Sequence, residues 1–141
     1  MARKTKPVKR AGNGRKQAIQ RLDKLVSQYT RWSRMDRNGN VRCYTCGKAV
    51  PWQMIDCGHF RSRRYIQTRF DLDNVRPQCR QCNRYQHGNL EIYKKRLCNE
   101  LGQAKVNEIE SRPHRLYNIA DLETMIWEME QKILGLKKGQ E

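Results

Sequence analysis

Two C-x-x-C pairs, Cys43-Tyr44-Thr45-Cys46 and Cys79-Arg80-Gln81-Cys82, constrain this chain more than any other feature. Each pair closes a turn that presents two thiolates to one ion, and two such turns complete a tetrahedral four-sulfur site. Arg42, Lys48 and Arg80 lie beside them and favour the deprotonated thiol. The expectation is one structural Zn2+ held by Cys43, Cys46, Cys79 and Cys82. Four thiolates leave no open coordination position, so this ion serves folding rather than catalysis. A redox dithiol or free buried thiols would not need two pairs. Cys57 and Cys98 have no partner at such spacing and read as small buried hydrophobes. Composition agrees that something other than a large core holds the middle together: 37% of residues are hydrophobic and 8% aromatic.

The charge is one-sided. There are 30 Lys and Arg against 14 Asp and Glu, a net +16. Residues 1–37 carry twelve basic and two acidic residues, residues 38–99 twelve and four, and residues 100–141 six and eight. The first two-thirds therefore suit a polyanion, with phosphate backbones the obvious one because neutralising them releases counterions. No apolar run approaches the roughly 20 residues that span a bilayer. The basic N-terminus lacks the apolar stretch of a secretory signal. The expected setting is a reducing cytoplasm, where six cysteines point to metal rather than disulfides.

Four segments follow from patterning. Residues 1–14, rich in Lys, Arg and turn-formers, read as a flexible basic arm. Residues 15–37 read as a basic helix, with Ile19, Leu22, Leu25, Val26, Tyr29 and Trp32 on one face and Arg21, Lys24, Arg31 and Arg34 on the other. Residues 38–101 form the cysteine-bearing core, with short β-like pieces and a helix from a cap at Asn89 to Gly102. Residues 102–141 are helical: a short piece near 103–110, then a helix opened by Asn118 or Asp121 with a frayed end from Gly135. The stripe Leu122, Met125, Ile126, Met129 and Ile133 on that last helix makes a homodimer a candidate.

The cysteine pairs are separated by 32 residues, where a zinc ribbon has roughly 15–20. The extra length holds Asp56-Cys57-Gly58-His59 and Asp71-Leu72-Asp73-Asn74. Asn83 follows the last cysteine directly, and His87 lies four residues on, a spacing that puts both on one face of a helix for a divalent ion. Read singly, each has a plainer explanation: Asn74 as turn chemistry, His87 as a solvated helix position, Arg61 to Arg64 as a solvated face. His114, after Pro113, reads as surface.

Taken in order, His59, Asn74, Asn83 and His87, interleaved with the cysteine pairs, resemble the HNH or ββα-metal nucleases. The run DCGHFRSRRYIQTRFDLDNVRPQCRQCNRYQHGN, residues 56–89, is more closely similar to the phage NinG/Rap family of recombination nucleases. Its layout is also similar to the phage endonuclease VII resolvases. The likeness covers residues 41–101 well and the flanking helices weakly. It implies an α+β fold: a small ββα-metal core stabilised by the four-cysteine zinc and flanked by N- and C-terminal helices. It implies His59 as general base, Asn74 as its orienting residue, and Asn83 and His87 on a catalytic Mg2+ or Mn2+. Many HNH enzymes place a metal-binding Asp directly before the catalytic His, and Gly58 stands there instead. Asp56 or His87 would supply the missing ligand. Neutral histidine, with an ordinary pKa near about 6.5, can take a proton from water at neutral pH. Arg61, Arg63, Arg64, Arg69, Arg76, Arg80 and Arg84 are the candidate DNA contacts.

The expected activity is thus metal-dependent DNA cleavage, and the resemblance implies branched recombination intermediates, Holliday junctions and D-loops, as its substrate. The rival class is a non-enzymatic zinc-ribbon binder of nucleic acid. It accounts for charge and cysteines but not for the order of His59, Asn74, Asn83 and His87. A sequence-specific HNH restriction or homing enzyme would need a reading domain for which the chain is short.

Overall fold

The computed structural model describes residues 11–139. It is a mixed α+β chain with two small antiparallel sheets, in keeping with the expected class. Helix α1 spans Ala11–Trp32. It starts and stops earlier than the expected 15–37, and Ala11 to Gly14 belong to it rather than to an arm; residues 1–10 of that arm lie outside the described residues. Past the helix, the Asp36 carboxylate accepts the backbone N–H of Asn38 and of Asn40, at 2.8 and 2.9 Å. That local bonding offers the backbone an alternative to further helix.

Strands β1 (Asn40–Arg42) and β2 (Ala49–Pro51) pair around the first cysteine turn, with Val41 opposite Val50. Strands β3 (Ile55–His59) and β4 (Val75–Cys79) form the second sheet, running from Ile55 opposite Cys79 to His59 opposite Val75. The Tyr44 N–H donates to the Pro77 carbonyl at 2.8 Å and ties the first turn to β4. Between β3 and β4 lies the one-turn helix α2, Ile66–Arg69. After β4 the chain makes a wide π-helical turn, Gln81–Tyr85, then helices α3 (Leu90–Leu101), α4 (Gln103–Ser111) and α5 (Ile119–Gly139).

Two apolar clusters flank the second sheet. Leu22, Leu25 and Val26 of α1 pack with Leu122, Met129 and Ile133 of α5 and with Phe70 and Val75. Burying a leucine-sized side chain contributes about 1.5–3 kcal/mol, so this seam is a main source of stability. It also answers the stripe on α5: Leu122, Met129 and Ile133 are buried against α1, with Met125 and Ile126 packed beside them. The stripe is used within the chain. The second cluster joins Phe60 with Tyr93 and Leu97 of α3 and Val106 and Ile109 of α4.

The ends of the helices refine the sequence reading. At α5, Asn118 Oδ1 accepts the Asp121 N–H at 2.8 Å while Asp121 Oδ2 accepts the Asn118 N–H at 3.0 Å, a reciprocal capping box that uses both expected residues. The same helix continues to Gly139, so the fraying expected from Gly135 is not seen. Asn89 does not cap α3 through its side chain; it has a positive φ of 47°, and its amide turns to the Cys82 sulfur at 3.8 Å. Gly102 ends α3 as expected, with φ +90°. Among the described residues no helix is long and apolar enough to cross a membrane.

Candidate active site and metal centre

The four paired cysteines come together at the junction of the two sheets. Cys43 and Cys46 lie in the β1–β2 turn, Cys79 ends β4, and Cys82 lies in the π-helical turn. Their sulfurs all lie within 4.8 Å of one another, the one such group of metal-ligating side chains among the described residues. A tetrahedron with Zn–S bonds of about 2.3 Å has S···S edges of about 3.8 Å. The Cys46 and Cys79 sulfurs are 3.7 Å apart, close to such an edge, so the cluster could hold an ion such as zinc. The Cys82 N–H points at the Cys79 sulfur at 3.4 Å, as backbone donors do around thiolates. Burial works against charge on Cys43, but hydrogen bonds from Thr45 and from the backbone of Cys46 and Cys79 outweigh it and hold the thiol below its ordinary value. Burial and the neighbouring thiols push Cys79 up. The Cys43 thiolate thus forms readily while Cys79 resists, a conflict that a bound dication would relieve. Cys57 and Cys98 are each half-buried against one of the two apolar clusters, as small hydrophobes would be.

Beside this centre is an open cavity of about 600 Å³ lined by Asp56, His59, Asn83 and His87, with Asp23 and Ser27 of α1, Arg63 and Arg84. His59 ends β3 and half-buries its ring. Its Nε2 lies 2.9 Å from the Arg69 carbonyl oxygen. A carbonyl can only accept, so Nε2 carries the hydrogen and Nδ1 keeps the lone pair. Burial lowers the His59 pKa from 6.5, opposed in part by the bond to Arg69 and aided by the positive charge of Arg63. The ring is therefore neutral at neutral pH, in the state a general base requires.

Asn74 is fully buried, and its side-chain hydrogen bonds go to the backbone rather than to the imidazole. Its Oδ1 accepts the Arg61 N–H at 2.8 Å, and its Nδ2 donates to the carbonyls of Arg61 and Thr68 at 3.0 and 3.1 Å. It clamps the segment after His59, so any orienting effect passes through the backbone. The ring itself is oriented by Arg69.

Asn83 and His87 do not share one face of an α-helix. The chain after Cys79 widens into the π turn, with Gln86 N–H bonded to the Gln81 carbonyl and Gly88 N–H to that of Cys82, both at 2.9 Å. His87 then has φ +53°, Gly88 +87° and Asn89 +47°. Three successive left-handed residues bring the chain back toward α3. Non-glycine residues held there are uncommon and cluster at functional sites. Both side chains nonetheless line the cavity, through a reversal rather than through helical periodicity. Asn83 Nδ2 donates to Asp56 Oδ2 at 3.0 Å, and Arg84 grips both Asp56 oxygens at 2.8 and 2.9 Å.

Gly58 has a steric reason. A Cβ there would stand 2.0 Å from Gln78 Oε1 and 2.8 Å from Gln78 Cγ. Gln78 is fully buried, donating to the Thr45 hydroxyl at 3.2 Å and the Gly88 carbonyl at 2.8 Å, so it links the metal turn to the left-handed reversal. A side chain at position 58 would meet Gln78 rather than enter the cavity. Gly58→Ala is expected to destabilise by about 1–3 kcal/mol, read as a lower midpoint in urea; an unchanged midpoint would show that Gln78 moves aside freely.

The arginines divide sharply. Arg76 is 4% exposed, donating to the Leu72 and Val75 carbonyls at 2.7 Å and paired with Glu100. Arg61 donates to the Ile109 and Arg112 carbonyls at 3.0 and 2.9 Å, and Arg69 pairs with Asp23. These three expected DNA contacts are spent on the fold. Arg63, Arg64 and Arg80 are exposed, and Arg84 is exposed while bound to Asp56. Sequence reading missed Asp23, whose only signal was its rarity in a basic helix, and Arg84 as the partner of Asp56.

The family profile of the bacteriophage lambda NinG protein matches residues 2–141. The protein ninG of Escherichia phage lambda is 31% identical over 123 residues, covering 86% of this chain and 58% of its own length. That of Salmonella phage P22 is 32% identical over 122 residues, covering 84% of this chain and 57% of its own. The ninG protein of Escherichia phage 933W is 31% identical over 123 residues, covering 86% and 59%. The chain thus spans somewhat more than half the length of these relatives. No solved structure matches it. With a profile that covers all but its first residue, the chain belongs to the NinG family of bacteriophage lambda.

Proposed function

We propose that this chain is a metal-dependent DNA endonuclease of the HNH type, with β3, β4 and the turn leading into α3 as its ββα-metal core. The observation that carries the reading is the meeting of Asp56, His59, Asn83 and His87 on one cavity beside the four-sulfur centre. Phosphodiester hydrolysis needs an in-line water, charge relief on the phosphate and help for the leaving oxygen. His59 supplies the base: Nδ1 takes a proton from water while Nε2–H stays on the Arg69 carbonyl. Asp56 and Asn83 touch at 3.0 Å and His87 lines the same cavity, a set of oxygen and imidazole donors suited to Mg2+ or Mn2+. When bound, that ion relieves phosphate charge and favours departure of the 3′ oxygen. Arg63, Arg64 and Arg80 bind flanking phosphates. Arg84, which here holds both oxygens of Asp56, would join them if Asp56 turned to a bound ion.

The substrate we propose is branched DNA, such as four-way junctions or D-loops, processed in the cytoplasm of the host cell. The support is the likeness of residues 56–89 to phage recombination nucleases, together with the excess of basic charge before residue 100. The test is incubation with linear, nicked and four-way-junction DNA in Mg2+, Mn2+ or EDTA. Cutting of the junction that EDTA abolishes is the expected result. Equal competition by linear duplex would make the chain a general nuclease. Binding without cutting under every condition would make it a zinc-stabilised binder.

The double substitution Asn83→Ala with His87→Ala is expected to remove cleavage while zinc content stays at one per chain. Unchanged activity and metal dependence would take both residues out of the divalent site.

A further inference from the structure

Helix α1 enters the cavity through one acidic side chain, Asp23. Its carboxylate takes Arg69 in the two-pronged way, Nε to Oδ1 at 2.9 Å and Nη2 to Oδ2 at 2.6 Å. Arg69 is the last residue of α2, and its carbonyl is one of those a helix end leaves without an intrahelical donor. That carbonyl is where His59 Nε2–H goes, at 2.9 Å. A further prong, Arg69 Nη1 to the Arg63 carbonyl at 3.3 Å, gathers the segment between α2 and β3. The pair is largely screened from solvent, with side-chain exposures of 23% and 22%, so its geometry is firmer than that of a surface ion pair.

We propose that Asp23 is a positioning residue for His59: by gripping the Arg69 guanidinium it fixes the Arg69 carbonyl on Nε2 and turns Nδ1 toward the cavity. The catalytic consequence rests on the nuclease reading; the hold on the ring does not. Docking of α1 is a separate matter. Leu22, Leu25 and Val26 already seat that helix against α5, Phe70 and Val75. Loss of Asp23 therefore frees the 63–69 segment without detaching α1. It also leaves the cations of Arg63 and Arg69 beside the imidazole with no anion from α1 to offset them.

The test uses the full zinc-loaded chain and reads the His59 ring directly. Nitrogen-15 NMR of the imidazole is expected to show one neutral tautomer, Nε2–H, in the unaltered protein. Asp23→Asn, which keeps size and loses charge, is expected to give a mixture of tautomers, and Asp23→Glu to restore the single form. Junction cleavage by Asp23→Asn is expected to fall in kcat by up to about 10²-fold, with KM and zinc content unchanged, since misplacement of a reacting group by an ångström has that effect. An imidazole spectrum that does not change in Asp23→Asn overturns the proposal. Should that variant fold poorly, the reversed pair Asp23→Arg with Arg69→Asp decides: recovery of the Nε2–H form supports it and a persisting mixture overturns it. A tautomer shift in a protein that cuts no DNA would leave the hold of Asp23 on His59 standing and remove the nuclease reading.

Discussion

Cys79→Ser is expected to strip zinc from the chain and unfold its middle. Cys79 ends β4, is 5% exposed, and faces the Cys46 sulfur at 3.7 Å. The four sulfurs are the meeting point of the β1–β2 turn, β4 and the π turn, and Cys43, Cys79 and Cys82 form a buried cluster of their own. Structural zinc in small domains contributes about 10–16 kcal/mol of apparent binding energy, which equals or exceeds the whole stability of a typical domain. Removing one thiolate should therefore cost more than any single apolar truncation in the α1–α5 seam, where about 2–5 kcal/mol is usual. Metal analysis should fall from one zinc per chain toward none, and circular dichroism should lose signal from the strands and α3 while α1 and α5 are partly retained. A variant that keeps its fold with no bound zinc would show that packing alone holds the sheets.

His59→Ala is expected to lower cleavage of a four-way junction by about 10²–10⁴-fold while leaving its binding near that of the unaltered protein. On the proposed nuclease reading the base acts on water, whereas affinity would come from many phosphate contacts by exposed Lys and Arg. The pH profile carries its own sign. Burial lowers the pKa of His59, so the neutral ring persists to lower pH than a free imidazole would allow. The rate should rise with pH through a value below 6.5, then stay level to neutrality. A variant that loses binding and cutting in equal measure would mark His59 as a structural residue.

The legible part of this protein was its chemistry-bearing spacing. Two C-x-x-C turns predict a four-sulfur cluster because a short turn leaves two thiols few directions to point, and the cluster is found. The helices were legible as periodicity, and α5 opens on the very Asn118 and Asp121 that its sequence offers as caps. The order of His59, Asn83 and His87 was legible as a resemblance, but the route by which Asn83 and His87 meet was not. An i, i+4 spacing implies one helical face only where the helix continues, and here the turn is π-helical, ends at Tyr85, and leaves His87 itself left-handed.

Other features belong to the tertiary structure. A stripe of apolar residues on α5 is the same in sequence whether it meets a second copy or its own α1; packing chose α1. An arginine between the cysteine pairs reads as a phosphate contact until the fold shows its guanidinium spent on carbonyls or on Glu100, as with Arg61 and Arg76. The glycine before His59 reads as a missing metal ligand until Gln78 is seen filling the space of its side chain. Asp23 is 36 residues from His59 in the chain, and no local pattern connects them. Local spacing therefore determined the cysteine turns and the helices, because those depend on bond geometry over a few residues, whereas the candidate base came from the resemblance. The partners of each charged group were decided by which elements the fold brings together, and that is a property of long-range packing.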